Sequence, residues 1–543
     1  MRCDAMRRWG PGASLAAVTP LLALLGFGAV PGRAADCEGL ARLALPHASI
    51  TKAESVTTGS FTPPGGRPIA NLPAFCRVVG VIRPSSDSDI RFEVWMPASG
   101  WNGKLQGVGN GGFAGSIEFA GMSAAMARGY ATASTDTGHN GGSTDAGWAL
   151  GHPEKATDFG YRAIHETAGK AKTLIAAYYG GAPRRSYFNA CSNGGRQALM
   201  EAQRFPADYD GIVAGAPANF WTHLLAAAGW DLQATLGEPG SYIPAGKLPA
   251  ITAAALAACD SLDGIKDGVI DDPSQCRFDP AVLLCKGPES GGCLTAPQVA
   301  ALKKIYGGPR DSKGAQLFPG YSPGGEAETG GWATWITGAA PEQSLLFAFG
   351  TQFFKNMVYG DPAWDFRTFQ VDRDAKAADD RMARALNATD PDLRRFQERG
   401  GKLILYHGWS DAAIPATNTI DYYRSVLSRM GAKRSGAFLR LFMVPGMQHC
   451  GGGSGPNVFG QAGAPQGDPQ RDIAAALERW VESGVAPERI VATKYKSGTN
   501  PSSGALRTRP LCSYPQVARW NGTGSTDDAA NFSCVNPASA RSK

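Results

Sequence analysis

An α/β fold, a mostly parallel sheet interrupted by one long insertion, is what this sequence predicts. Three observations carry the prediction. From Lys104 onward the chain alternates short apolar runs with helix-like runs. From about Asn219 to Glu398 that alternation stops, and at Lys402 it resumes. Alternation of this kind implies parallel strands joined by crossover helices.

The elements follow in order. Residues 104–109 and 130–135 read as short buried strands. Residues 162–179 carry Ile164, Ala168, Ala171, Leu174 and Ile175 at helical spacing. Residues 186–190 are strand-like, 194–205 read as a helix stopped by Pro206, and 211–215 read as a strand ended by Pro217. The stretch 219–398 reads as irregular, rich in Gly, Pro and aromatic residues. Residues 402–407 and 438–444 are strands, 472–483 an amphipathic helix, and 490–495 the last strand. The expected division is a signal peptide at 1–35, a first part of the α/β domain at 36–218, an inserted domain at 219–398 and the second part of the α/β domain at 399–543.

Residues 1–10 carry Arg2, Arg7 and Arg8, an apolar run covers 13–30, and small residues lead to a cleavage point near Ala34 or Ala35. This is the pattern of an export signal. Pro20 and several Gly and Ala residues dilute the run, which disfavours a membrane anchor. With 43% hydrophobic and 18% charged residues the chain is neither disordered nor a coiled coil. Removing residues 1–34 lowers the formal charge from +6 to +3. That is too mild to point to nucleic acid or an anionic membrane as partner. No later segment is apolar for long enough to span a bilayer. A secreted or periplasmic protein, with no stable membrane insertion after signal removal, is the expectation.

Beyond Cys3 there are ten cysteines, and an even number in an exported chain implies disulfides. Zinc competes poorly, because no CxxC pair or HxxxH spacing occurs. Proximity suggests Cys37–Cys76, Cys259–Cys276, Cys285–Cys293 and Cys512–Cys534, which leaves Cys191–Cys450 as a long-range pair. Ten cysteines allow many other pairings, and these stay open at this point.

Cys191 directly precedes Ser192, and Cys450 directly follows His449. Ser192 sits at a strand-to-helix turn kept clear by Ala190, Gly194 and Gly195, as a nucleophile elbow requires. The turn departs from GxSxG, with Ala at the first position and Cys before the serine. Asp411, four residues past a strand end, has a helix cap as its bland reading. His449 follows its strand by five residues in a glycine-rich loop. His407 reads as structural, and His139 as a residue able to line the pocket. The order Ser192, Asp411, His449 is that of α/β-hydrolases, so these three are the candidate triad. Asn193, Gly111 and Gly112 are the candidate backbone donors of an oxyanion hole.

Asp260, Asp263 and Asp267 crowd into eight residues with glycines for sharp turns. Oxygen ligands on a flexible loop suit calcium, with the Ile265 and Val269 carbonyls completing the shell. A solvated acidic turn is the alternative. In the insertion, the aromatic stretches 332–336 and 347–359 and the nearby Ile414 suggest Trp332, Phe353 and Ile414 as pocket residues, against a packed-core role.

Gly109-Asn-Gly-Gly112, Thr135-Asp-Thr-Gly-His139, Cys191-Ser-Asn-Gly-Gly195, the 260–271 loop, Gly408-Trp-Ser-Asp411, Gln448-His-Cys450 and Arg507-Thr-Arg-Pro-Leu-Cys512 together resemble the tannase and feruloyl esterase family. That family includes mono(2-hydroxyethyl) terephthalate hydrolase. The resemblance runs from about Cys37 to Cys534. It implies an α/β-hydrolase fold with a lid between serine and aspartate, a Ser192–His449–Asp411 triad, and a Cys191–Cys450 disulfide. It also implies structural calcium on Asp260, Asp263, Ile265, Asp267 and Val269. The substrates it implies are small aromatic esters: feruloyl, hydroxycinnamoyl, galloyl or terephthalate monoester. A lipase or peptidase with the same triad, and a non-catalytic binding protein on this fold, are the rival readings.

Overall fold

A computed structural model describes residues 36–461 and 467–537. The export signal expected at 1–35 lies outside the described residues.

Nine strands form one sheet: β1 (Ala48–Val56), β2 (Phe75–Ile82), β3 (Ile90–Pro97), β4 (Lys104–Val108), β5 (Ala131–Thr135), β6 (Arg185–Cys191), β7 (Gly211–Gly215), β8 (Lys402–Gly408) and β9 (Leu439–Val444). Their order across the sheet is β1-β2-β3-β5-β4-β6-β7-β8-β9. From β5 to β9 neighbours run parallel, and β1, β2, β3 and β5 pair antiparallel. The central strands are short and fully buried; all five residues of β5 and of β7 are covered. A strand shielded on both faces reads as a continuous apolar run, which is why these strands were visible in the sequence.

Helices α1 (Phe119–Ala127), α2 (Ala163–Tyr179) and α3 (Asn193–Arg204) follow β4, β5 and β6. This is the α/β-hydrolase arrangement. The antiparallel edge, β1 to β3, precedes Lys104 and escaped the sequence reading, which began its alternation there. Residues 490–495 were expected to be the last strand. Instead β10 (Arg489–Tyr495) leaves the sheet and pairs with β11 (Ala505–Cys512), and a further ribbon joins β12 (Val517–Trp520) to β13 (Phe532–Val535).

The stretch 219–398 is not irregular. It holds α4 (Trp221–Leu236), α5 (Leu248–Cys259), α6 (Ala296–Gly307), α7 (Leu345–Gln352) and α8 (Val371–Leu386). Twelve of the sixteen residues of α4 are buried. A helix covered on most sides shows no amphipathic stripe, so periodicity had nothing to register. All five expected disulfides are formed: Cys37–Cys76, Cys191–Cys450, Cys259–Cys276, Cys285–Cys293 and Cys512–Cys534. Among the described residues, no helix is long and apolar enough to cross a membrane.

Candidate active site

The turn from β6 into α3 places Ser192 at φ 68°, ψ −128°. A serine with positive φ is strained, by about 1–3 kcal/mol, and the surrounding packing has to hold it. The Ser192 N–H donates to Gly215 O at 2.9 Å, and Ser192 O accepts from Ala218 at 3.1 Å. Gly195 lets the helix approach that closely: a Cβ there would lie 2.3 Å from Gly215 O.

His449, on the loop after β9, sits beside this turn. Ser192 Oγ lies 2.9 Å from His449 Nε2, and His449 Nδ1 lies 2.8 Å from Asp411 Oδ2. The Asp411 side chain is fully enclosed. Its Oδ1 accepts the Ala413 and Ile414 N–H groups at 2.8 and 2.9 Å. Burial alone would push the Asp411 carboxyl up. The His449 charge and hydrogen bonds from His407 and His449 outweigh it and hold the carboxyl well below its ordinary range. His407, read as structural, therefore neighbours the Asp411 carboxylate: its Nε2 lies 3.1 Å from Asp411 Oδ2 and 3.0 Å from Ile414 O. Only its spacing of four from Asp411 hinted at this.

Three backbone donors were expected here, and their surroundings differ. Gly111 lines the wider side of the site beside Glu118, whose carboxyl is raised by burial. The N–H groups of Gly112 and Asn193 have no partner among the described hydrogen bonds, and both residues line the cleft at Ser192. His139 does not line it. Its Nε2 lies 2.7 Å from Phe113 O, and burial lowers its pKa to about 4, so it supports the glycine loop as a neutral imidazole.

Two clefts meet at Ser192. A narrow one of about 50 Å³ is walled by Trp221, Leu224, Leu225, Leu346, Phe349 and Ile414. A wider one of about 410 Å³ runs past Gly111, Glu118, Ser143 and Thr144. Trp335 borders both, and its ring meets His449 edge-to-face at 5.0 Å. Ile414 is thus where it was expected. Trp332 and Phe353 are not. Trp332 packs against Tyr306 and Tyr321 inside the insertion, and Phe353 packs on Phe354; each is about 2% exposed or less. Trp335 and Phe349, one turn away from them, face the cleft instead. Spacing puts such pairs on neighbouring faces but does not tell which member meets the core.

Under the elbow lies Arg196, fully buried and, among the described residues, without an acidic partner. It donates to Asn193 Oδ1 at 2.8 Å, Gly160 O at 2.7 Å and Phe159 O at 3.0 Å. Sequence reasoning passed over it.

The family model for tannase and feruloyl esterase matches residues 76–535. The chain belongs to that family. An uncharacterized esterase of Xanthomonas campestris is 46% identical, over 92% of this chain and 91% of its own. The mono(2-hydroxyethyl) terephthalate hydrolase of Piscinibacter sakaiensis is 36% identical, over 86% of each chain. Feruloyl esterase B of Aspergillus oryzae superposes with a TM-score of 0.84 at 31% identity, covering 92% of this chain and 99% of that structure. The chain is accordingly an ester-hydrolysing enzyme of the tannase and feruloyl esterase group, on an α/β-hydrolase fold.

In the 260–271 loop, Asp260 accepts from Gly268 N–H and Asp263 Oδ1 from Ile265 N–H, while Asp267 Oδ2 is held by Arg507 and Arg509 at 2.9 and 2.6 Å. These carboxylates do not form a converging trio; among the described residues that geometry is found at His165, Glu201 and Asp208. Yet the loop's donor chemistry fits a hard cation. Ile265 and Val269 are buried, and no described hydrogen bond ends on either carbonyl. Buried carbonyls without partners are rare.

Proposed function

We propose that this protein is an exported serine esterase that cleaves esters of neutral aromatic carboxylic acids, of the feruloyl or galloyl type. The single observation that carries the reading is the hydrogen-bonded line Ser192–His449–Asp411 opening onto a narrow apolar slot. In the first step His449 Nε2 takes the Ser192 proton as Oγ attacks the ester carbonyl, and Asp411 stabilises the imidazolium. The carbonyl oxygen, now anionic, accepts from the Asn193 and Gly112 N–H groups. His449 returns the proton to the leaving alcohol and an acyl-enzyme remains. Water, deprotonated by His449, then releases the acid. Residues 219–398 act as the lid, because Trp221, Trp335 and Phe349 all wall the clefts. Five disulfides support an oxidising compartment, the periplasm or outside.

Among the described residues, neither cleft is lined by a lysine or arginine. An acid with a second, ionised carboxyl would bury that charge unpaired, at a cost of several kcal/mol. The expected result is that kcat/KM for mono(2-hydroxyethyl) terephthalate falls at least about 100-fold below that for methyl ferulate or methyl gallate. Equal turnover would move the assignment to the terephthalate reading, which the 36% identical relative favours. Turnover of none of the three esters would remove the aromatic-acid assignment.

Calcium is the second part of the reading. Asp260, Asp263 and Asp267 with the Ile265 and Val269 carbonyls would hold it, and its charge would neutralise the loop. Chelation with EGTA is expected to lower Tm by several degrees, with recovery on adding Ca2+ but not Mg2+. An unchanged Tm leaves the loop as an acidic turn closed by Arg507 and Arg509.

A further inference from the structure

The two backbone donors of the proposed oxyanion hole sit on different elements. Asn193 begins α3, whereas Gly112 belongs to the loop after β4. The two elements touch backbone to backbone: a Cβ on Gly109 would lie 3.0 Å from Gly194 Cα. One pair of side chains crosses this contact. Gln197, one turn into α3 from Asn193, is fully buried. Its Oε1 accepts the Asn110 N–H at 3.0 Å, and its Nε2 donates to Asn110 Oδ1 at 3.2 Å. The remaining amide of Asn110 donates to Ser116 O and Thr135 O, both at 2.8 Å. Every polar atom of the Asn110 side chain is engaged, so the amide cannot turn without losing bonds.

We propose that Gln197 and Asn110 form a clasp that fixes the distance between the Asn193 and Gly112 N–H groups, which makes Gln197 a positioning residue. The inference rests on the serine-esterase reading above. An oxyanion hole works only when both donors stand 2.7–3.1 Å from the developing charge. A displacement of about 1 Å costs on the order of 100-fold in rate. A two-point amide pair sets both separation and angle between helix and loop, where a single bond would leave a hinge. Gln197 lines neither cleft, so it acts through the donors and not on the substrate.

The test is Gln197→Met, which keeps the length and removes both hydrogen bonds. Turnover is counted per serine labelled to completion by an organophosphate. The expected result is a kcat about 30-fold lower, with KM within about twofold. Affinity for an aryl trifluoromethyl ketone, which places a tetrahedral oxyanion in the hole, falls by the same factor as kcat. Affinity for the product acid stays unchanged. Gln197→Asn, too short to span the gap, gives the same pattern and serves if circular dichroism shows that Gln197→Met does not fold. A merely structural glutamine would lower Tm and the number of labelled serines, yet leave kcat per labelled serine and ketone affinity alone; that outcome overturns the clasp. Failure of the wild-type serine to label at all would instead sink the serine-esterase reading on which the clasp depends.

Discussion

Ser192→Ala is expected to lower kcat by about a millionfold while leaving the fold intact. The Ser192 Oγ has one described hydrogen bond, to His449 Nε2. The strained backbone at φ 68° is held by main-chain bonds to Gly215 and Ala218, and these do not involve the hydroxyl. Alanine keeps the Cβ, so the turn carries the same strain as before. A purified variant with wild-type circular dichroism and Tm, no label from an organophosphate and no measurable ester hydrolysis is the result to look for. Retention of more than about one per cent of wild-type turnover would show that another group attacks the ester.

The second large effect is Asp411→Asn, for which a fall in kcat of about 10⁴-fold is expected. An asparagine Oδ1 can keep the Ala413 and Ile414 N–H bonds, so the turn after β8 survives. What it then presents to His449 Nδ1 is an NH₂ group. The imidazole answers by turning its Nδ1 into an acceptor, which places a hydrogen on Nε2 facing Ser192 and removes the base. The native carboxyl is lifted by burial but held well below its ordinary range by His449 and by hydrogen bonds from His407 and His449. A depressed folded pKa means that its contribution to stability is fully present above about pH 4, the unfolded value. It is lost only as pH falls further, through the folded pKa. Any loss of wild-type kcat/KM on acidification above about pH 4 therefore does not belong to Asp411, and Asp411→Asn should lower the profile at every pH. Retention of most of the activity would mean that the carboxylate does not orient the base.

The hydrogen-bonded line Ser192–His449–Asp411 was legible because each member follows a buried strand, and buried strands are the loudest feature of this sequence. The order serine, aspartate, histidine then needed no alignment to be recognised. The disulfide between the neighbours of Ser192 and His449 was legible from adjacency and family resemblance together. The cleft walls were not. Trp332 and Trp335 look alike in sequence, and so do Phe349 and Phe353; Trp332 meets the core through Tyr306 and Tyr321, and Phe353 through Phe354, partners that no local pattern announces. Gln197 and Arg196 were missed for a related reason. They occupy an apparently polar run after two glycines, where solvent exposure is the ordinary expectation; the glycine loop covers Gln197, whereas Phe159, Gly160 and Trp221 cover Arg196.

Cys191–Cys450 spans 259 positions and so encloses the whole insertion in one covalent ring. A protease that cuts a surface loop of that ring turns one chain into two without separating them. The serine-bearing and histidine-bearing fragments remain a single linked particle with Ser192 and His449 adjacent. Loop cleavage between α4 and α8 is then a change in the protein's number of ends, visible on a reducing gel and silent on a non-reducing one.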